Sequence, residues 1–226
     1  MEGGYVETPA VPLPEAKYRR LVTHLWRGVG AASDRVGRLL LLRDLLGCIY
    51  MWESSLRAND CGRLQLLDLV DPACHDQPYA GWPLPSAGSW SEEDSRLVLY
   101  IRPHGTKSRR TRRADVFTIA SHAEAPYCFV RALSLYLALC AAGGDGFAVA
   151  NSNALGNRLH GHLVAAGLYE GEACHSFRRG SLQDAEDKGA TREQLKAKGQ
   201  IASESVIDRY LDRTGHQTGR NTRRRT

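Results

Sequence analysis

The sequence has no apolar run close to the ~18–20 residues that a membrane-spanning helix needs. Its longest apolar stretch, residues 39–51, is interrupted by Arg43 and Asp44. A basic-then-apolar leader is also missing, since the chain begins Met-Glu-Gly-Gly-Tyr-Val-Glu. The expectation is therefore an intracellular protein with no membrane partner. None of the six cysteines, at 48, 61, 74, 128, 140 and 174, stands in a CxxC pair. Four fall inside or beside apolar helical runs, where a reduced thiol behaves as a small hydrophobe. A disulfide framework does not suit so long and apolar a chain. Cys74-His75 has no second Cys/His pair at ligand spacing, so no metal is expected.

Two segments lack acid altogether. Residues 102–113 (RPHGTKSRRTRR) hold six Lys/Arg, and residues 213–226 (RTGHQTGRNTRRRT) hold five Arg. Without those eleven charges the rest of the chain carries 19 basic and 25 acidic residues. A mildly acidic body with two concentrated basic segments suits a polyanionic partner. Solvated loops are the plainer alternative, and for the tail disorder is the default. At 102–113 the strand patterns on either side favour the binding reading.

Residues 1–13, rich in Gly and Pro, read as a flexible arm. From Pro14 the apolar positions Ala16, Leu21, Val22, Leu25, Trp26 and Val29 recur at helical spacing. Ser33 and Asp34 can cap a second helix running to about Trp52, apolar nearly all round and hence buried. A short helix is expected over about 58–67, then an irregular Pro/Gly/Ser/Asp-rich stretch over 71–95. RLVLYIRP (96–103) and ADVFTIA (114–120) read as two strands of a hairpin with a basic tip. Further helices are expected at 126–142, 151–166, 175–188, 191–198 and 203–213, separated by Gly-containing breaks. The fold class is mainly α with a small antiparallel β-sheet (α+β): one domain over 14–213, followed by a basic tail over 214–226.

A phosphodiester reaction without metal needs cations for the phosphate oxygens, a nucleophile, and groups to take and give protons. Arg57 lies where the buried helix ends, and Asp60 follows at i+3, a spacing that can orient a guanidinium. A surface ion pair is the ordinary meaning of such a pair. His175 and Arg178 form an HxxR at a helix start and share a face, suited to proton acceptance and to forking onto phosphate. HxxR alone is a weak pattern. Lys107 sits in the hairpin tip, where it can reach a groove and donate a proton. Tyr210 lies on an apolar stripe with Val206, Ile207 and Leu211, the pattern of a core tyrosine. Arg209 and Arg213 flank it, however, and nearby cations favour a phenolate.

Order and spacing carry more than any one signal. Arg, then Lys in a β-hairpin, then HxxR, then Tyr 35 residues after the His, resembles the tyrosine recombinase (phage-integrase-like) family over roughly residues 14–213. RDLLGCIYMWESSLRANDCGRLQLLDL resembles its helix–Arg–helix box, YCFVRALSLYLAL the helix after its hairpin, and CHSFRRGSLQDAEDKG its HxxR box. The resemblance implies that Tyr210 attacks the scissile phosphate to form a 3′-phosphotyrosyl link. It implies that Arg57 and Arg178 clamp the non-bridging oxygens, that Lys107 protonates the 5′-oxygen leaving group, and that His175 assists proton transfer. Asp60 takes the family's acidic position. No cofactor is implied. The partner would be double-stranded DNA, contacted by Arg109, Arg110, Arg112, Arg113, Arg179, Arg209 and Arg213, with self-association in a synaptic oligomer. The protein would reside with the DNA, in a nucleus or a nucleoid.

Two positions depart from the family's pattern. Ile201 stands nine residues before Tyr210, where the family has His or Trp; it can only buttress, so reduced or conditional catalysis is expected. Residues 1–13 are also too short for the family's N-terminal helical domain, and low intrinsic DNA affinity would follow. The leading reading is a site-specific recombinase or mobile-element integrase. A type IB topoisomerase shares the chemistry, but the compact hairpin and the short HxxR-to-Tyr link favour the recombinase. A catalytically weak or inactive DNA-binding relic is the third reading, and an unrelated helical protein with coincidental motifs the fourth. The tail, polar and Arg-rich with no apolar anchor, is expected to contact DNA rather than a partner's groove.

Overall fold

The computed structural model describes residues 10–62, 64–81, 84, 90–102, 116–140 and 152–213. Its centre is α2 (Arg35–Ser54), whose second half is buried on every side from Asp44 to Trp52. Asp34 starts this helix by accepting the Gly37 amide at 2.8 Å, the expected N-cap. α1 (Glu15–Ala31) lays Tyr18, Leu21, Val22, Leu25 and Val29 against α2, the stripe its spacing requires. α4 (Phe129–Leu139), α5 (Ser152–Ala165) and α6 (Cys174–Asp187) also pack on α2. α7 (Arg192–Gly199) and α8 (Glu204–Leu211) close against α6 over a second, smaller core of Leu182, Leu195, Ile201, Ile207 and Leu211.

The sheet is antiparallel, in the order β1 (Leu69–Val70), β2 (Val98–Ile101), β3 (Phe117–Ala120), with Leu69 opposite Ile101 and Leu99 opposite Ile119. Leu99, Ile101 and Ile119 point into the main core while Val98 stays exposed, the alternation of a one-sided sheet. The two longer strands lie inside the expected runs. The hairpin tip that joins them, with Lys107, Arg109, Arg110, Arg112 and Arg113, lies outside the described residues.

The structure differs from expectation in two places. The helix expected over 58–67 is one turn, α3 (Ala58–Cys61), followed by a 3-10 turn at Leu66–Asp68 and the short strand β1. The Asp68 carboxylate accepts the Gln65 amide at 2.7 Å, which favours a tight turn over helix continuation. In addition, residues 10–13 are not a free arm. Leu13 is fully buried and its amide donates to the Ser176 carbonyl at 3.0 Å. The chain crosses α6 so closely there that a Cβ on Gly180 would fall 1.8 Å from the Leu13 oxygen. Gly180 is what permits the crossing.

Candidate active site

α2 does not end on a glycine. Ser55 takes the left-handed conformation (φ 48°) and turns the chain, so that Arg57 becomes the extended N-cap residue of α3. That turn is locked to α6: Ser55 Oγ and Ser181 Oγ lie 2.9 Å apart. α6 begins at Cys174 after an extended Ala173, whose amide donates to Ser176 Oγ at 2.9 Å. His175 is on the first turn and exposed; Arg178, one turn on, faces inward.

Arg178 is 1% exposed. Its Nη1 donates to the Ser55 carbonyl at 2.5 Å, while Nε and Nη2 are buried without a hydrogen-bond partner. The guanidinium carbon lies 4.8 Å from the centroid of the Tyr210 ring, a cation–π contact that joins the HxxR helix to α8. Burial lowers the Arg178 pKa; the Tyr210 phenol, by electrostatics and hydrogen bonding, and the Asp60 charge act against that, and the like charge of Arg57 adds to it. Two cations thus stand close together, and one of them presents unused N–H groups. Holding such a charge out of water costs on the order of several kcal/mol, which an anion would offset.

The remaining expected residues fall into two sets. Ile201 is 7% exposed and belongs to the smaller core. It shares a corner with Arg178: a Cβ on Gly199 would lie 2.8 Å from Ile201 Cδ1 and 3.5 Å from Arg178 Nη2. Asp60 is buried, and its charge favours the Arg178 cation. Arg209 is exposed beside Tyr210. Arg179, expected on a DNA face, is buried, with Nη2 donating to the Asp212 carbonyl. Arg213 lies 2.6 Å from Asp187 and 3.5 Å from Glu186. With Gln183 donating to the Tyr210 carbonyl at 3.0 Å, these contacts dock the end of α8 on α6 of the same chain. They hold the tyrosine helix in place.

Two features were not singled out from sequence. Asp44, fully buried, accepts both Arg158 (Nε to Oδ1 2.7 Å, to Oδ2 2.8 Å) and His162 Nε2 (2.8 Å). Lys198 donates to the Glu53 carbonyl at 2.5 Å and lines a cleft of about 630 Å³ with Phe117, Thr118 and Ile201. An acid inside an apolar helix was the one available signal for the first; nothing in the sequence marks the second.

No sequence-family model matches the chain, and no curated protein matches it. Solved structures do. The site-specific recombinase XerH bound to a palindromic difH substrate, in a post-cleavage complex, aligns with a TM-score of 0.63 over 98% of this chain at 12% identity. A lambda integrase dimer bound to a COC′ core site aligns with 0.58 over 94% at 12% identity. XerA recombinase aligns with 0.55 over the whole chain at 14% identity. The chain has the fold of a tyrosine recombinase catalytic domain. It spans about half the length of the first two, 55% and 51%, and 68% of XerA. The mainly helical body with its small three-stranded sheet is the architecture expected from the sequence.

Proposed function

We propose that this chain cuts and rejoins DNA through a covalent bond to Tyr210, in site-specific recombination or mobile-element integration. The observation that carries the reading is Arg178: a buried guanidinium with two unpartnered nitrogens, beside a second cation and under the ring of the tyrosine. Such a place suits a phosphate whose charge grows in the transition state. In the reaction Tyr210 Oη attacks phosphorus, the P–O5′ bond breaks, and a 3′-phosphotyrosyl diester forms. The phenolic proton passes towards His175 and the leaving 5′-oxygen takes a proton from Lys107, roles supplied by the family resemblance. Attack by a 5′-hydroxyl reverses the step. One diester replaces another, so no ATP is consumed. Arg57 and Arg178 hold the non-bridging oxygens throughout. Likeness to recombinases solved on DNA, one as a dimer, supports a duplex partner and self-association on it.

One observation favours the inactive-relic reading. Ile201, beside Arg178 Nη2, has no donor or acceptor to give a bound phosphate. Covalent trapping separates the two readings. A pool of nicked suicide duplexes of random sequence should give a denaturant-resistant protein–DNA adduct that disappears in Tyr210→Phe. Intact duplex binding with no adduct would leave the relic.

A further inference from the structure

The last four carbonyls of an α-helix have no amide partner within the helix. At the end of α2 side chains take over. Ser54 Oγ donates back to the Tyr50 carbonyl at 2.6 Å and Ser181 Oγ donates to Trp52. Lys198 Nζ donates to Glu53 at 2.5 Å and Arg178 Nη1 to Ser55 at 2.5 Å. Ser181 and Arg178 come from α6; Lys198 is the α7 member of the set. A cation there also meets the negative end of the helix dipole.

Lys198 is half-buried between two clefts, of about 690 and 630 Å³, that flank the end of α2. Burial pushes its ammonium below the usual lysine value, with the charges of Glu53 and Asp184 acting the other way and Lys188 adding to the fall. No ion pair within 4 Å joins it to the Glu53 carboxylate; the bond is to that residue's backbone. One end of the bond lies four residues before Arg57, and the other lies twelve residues before Tyr210 on the segment leading into α8. The contact spans the two halves of the candidate site: the α2–α3 turn, and the α7–α8 segment over the smaller core.

We infer that Lys198 is a positioning residue for strand cleavage, holding the segment that carries Tyr210 in register with the turn that carries Arg57. It touches no substrate; it sets the distance between groups that do. The inference rests on the cleavage reading above. In-line attack tolerates little displacement, and a 1 Å error costs about 10²-fold.

The test uses Lys198→Met, which keeps most of the apolar stem, and Lys198→Arg, which keeps a cationic donor. Three quantities are measured on the full chain: single-turnover adduct formation at saturating nicked duplex, duplex Kd, and amide hydrogen exchange over residues 53–61. Lys198→Met should slow adduct formation about tenfold or more, with Kd unchanged within about twofold. Exchange should quicken at 53–61 alone, and Lys198→Arg should recover most of the rate. A Lys198→Met protein that cleaves at the parent rate overturns the inference. So does an equal loss in both variants together with a global rise in exchange, since that is a folding defect. If the parent protein forms no adduct, the cleavage reading fails on its own account. The tie is then judged by exchange: quickening confined to 53–61 and reversed by Lys198→Arg supports it, and unchanged exchange overturns it.

Discussion

Two arginines occupy equivalent-looking places in this molecule, each reaching from a flanking helix towards α2. Arg158, on α5, meets a carboxylate: its Nε and Nη2 lie 2.6–2.8 Å from Asp44, and the bond raises the Arg158 pKa. Arg178, on α6, meets a backbone carbonyl and the Tyr210 ring but forms no salt bridge with a carboxylate among the described residues; burial lowers its pKa. Arg158 is half-exposed and carries its charge to a fully buried carboxylate. A guanidinium buried without a salt bridge is a candidate place for a bound anion. The contrast separates the candidate site from the scaffold more sharply than the HxxR pattern does.

The contrast is broken or confirmed most strongly by removing each charge in turn. Arg178→Met should lower adduct formation by about 10²–10³, the loss seen when a preorganised transition-state donor is removed. Its melting temperature should hold or rise, because a buried guanidinium that makes no salt bridge among the described residues leaves with the side chain. A large fall in melting temperature with cleavage intact would make Arg178 structural and end the argument from orphaned nitrogens. Urea or thermal unfolding beside the trapping assay reads both quantities.

Arg158→Met should behave in the opposite way. It leaves Asp44 fully buried with His162 as its remaining partner, and stability should drop by about 3 kcal/mol, the low end for breaking a buried pair. The pH dependence sharpens this. Burial acts to raise the Asp44 pKa, but the bonds from His162 and then Arg158 outweigh it and hold the carboxyl below its usual value. A carboxyl lowered in the folded state contributes stability that is present above its unfolded pKa, about 3.9, and lost as pH falls through the folded value. The parent protein should lose that contribution below about pH 4. In Arg158→Met the same acid limb should be shallower, because less of the contribution remains to lose. Equal acid limbs in the two proteins would remove Asp44 from the account.

Much of this was legible in the sequence, for a definite reason. Helix periodicity and capping residues act locally, so Asp34, the Pro14 start and the Gly-containing breaks set the helices within a few residues. Tyr210, His175 and Arg178 could be named because residue type and chain order carry them. What escaped depends on contacts across the chain. Arg178 and Arg179 are adjacent on one helix, and sequence alone does not tell which faces the tyrosine; in the fold one lies under its ring and the other under the Asp212 carbonyl. Asp44 finds its partners 114 and 118 residues away. β1 is two residues long and gains its strand character from pairing with β2, not from its own pattern.

The smallest effect, and the most informative about Ile201, concerns the corner it shares with Gly199 and Arg178. Ile201→His places a donor beside a cation that has unused hydrogen-bonding capacity, where a bound phosphate would accept it. The gain should be the net worth of about one hydrogen bond, a rise in adduct formation of about fivefold. The substitution also removes apolar area from a small core, so stability should fall by about 1 kcal/mol. A rise in rate with that modest loss identifies Ile201 as a limit on cleavage by the parent chain. An unchanged rate would mean that Arg57 and Arg178 already satisfy the phosphate, and that Ile201 acts only through its packing with Leu182, Leu195 and Ile207.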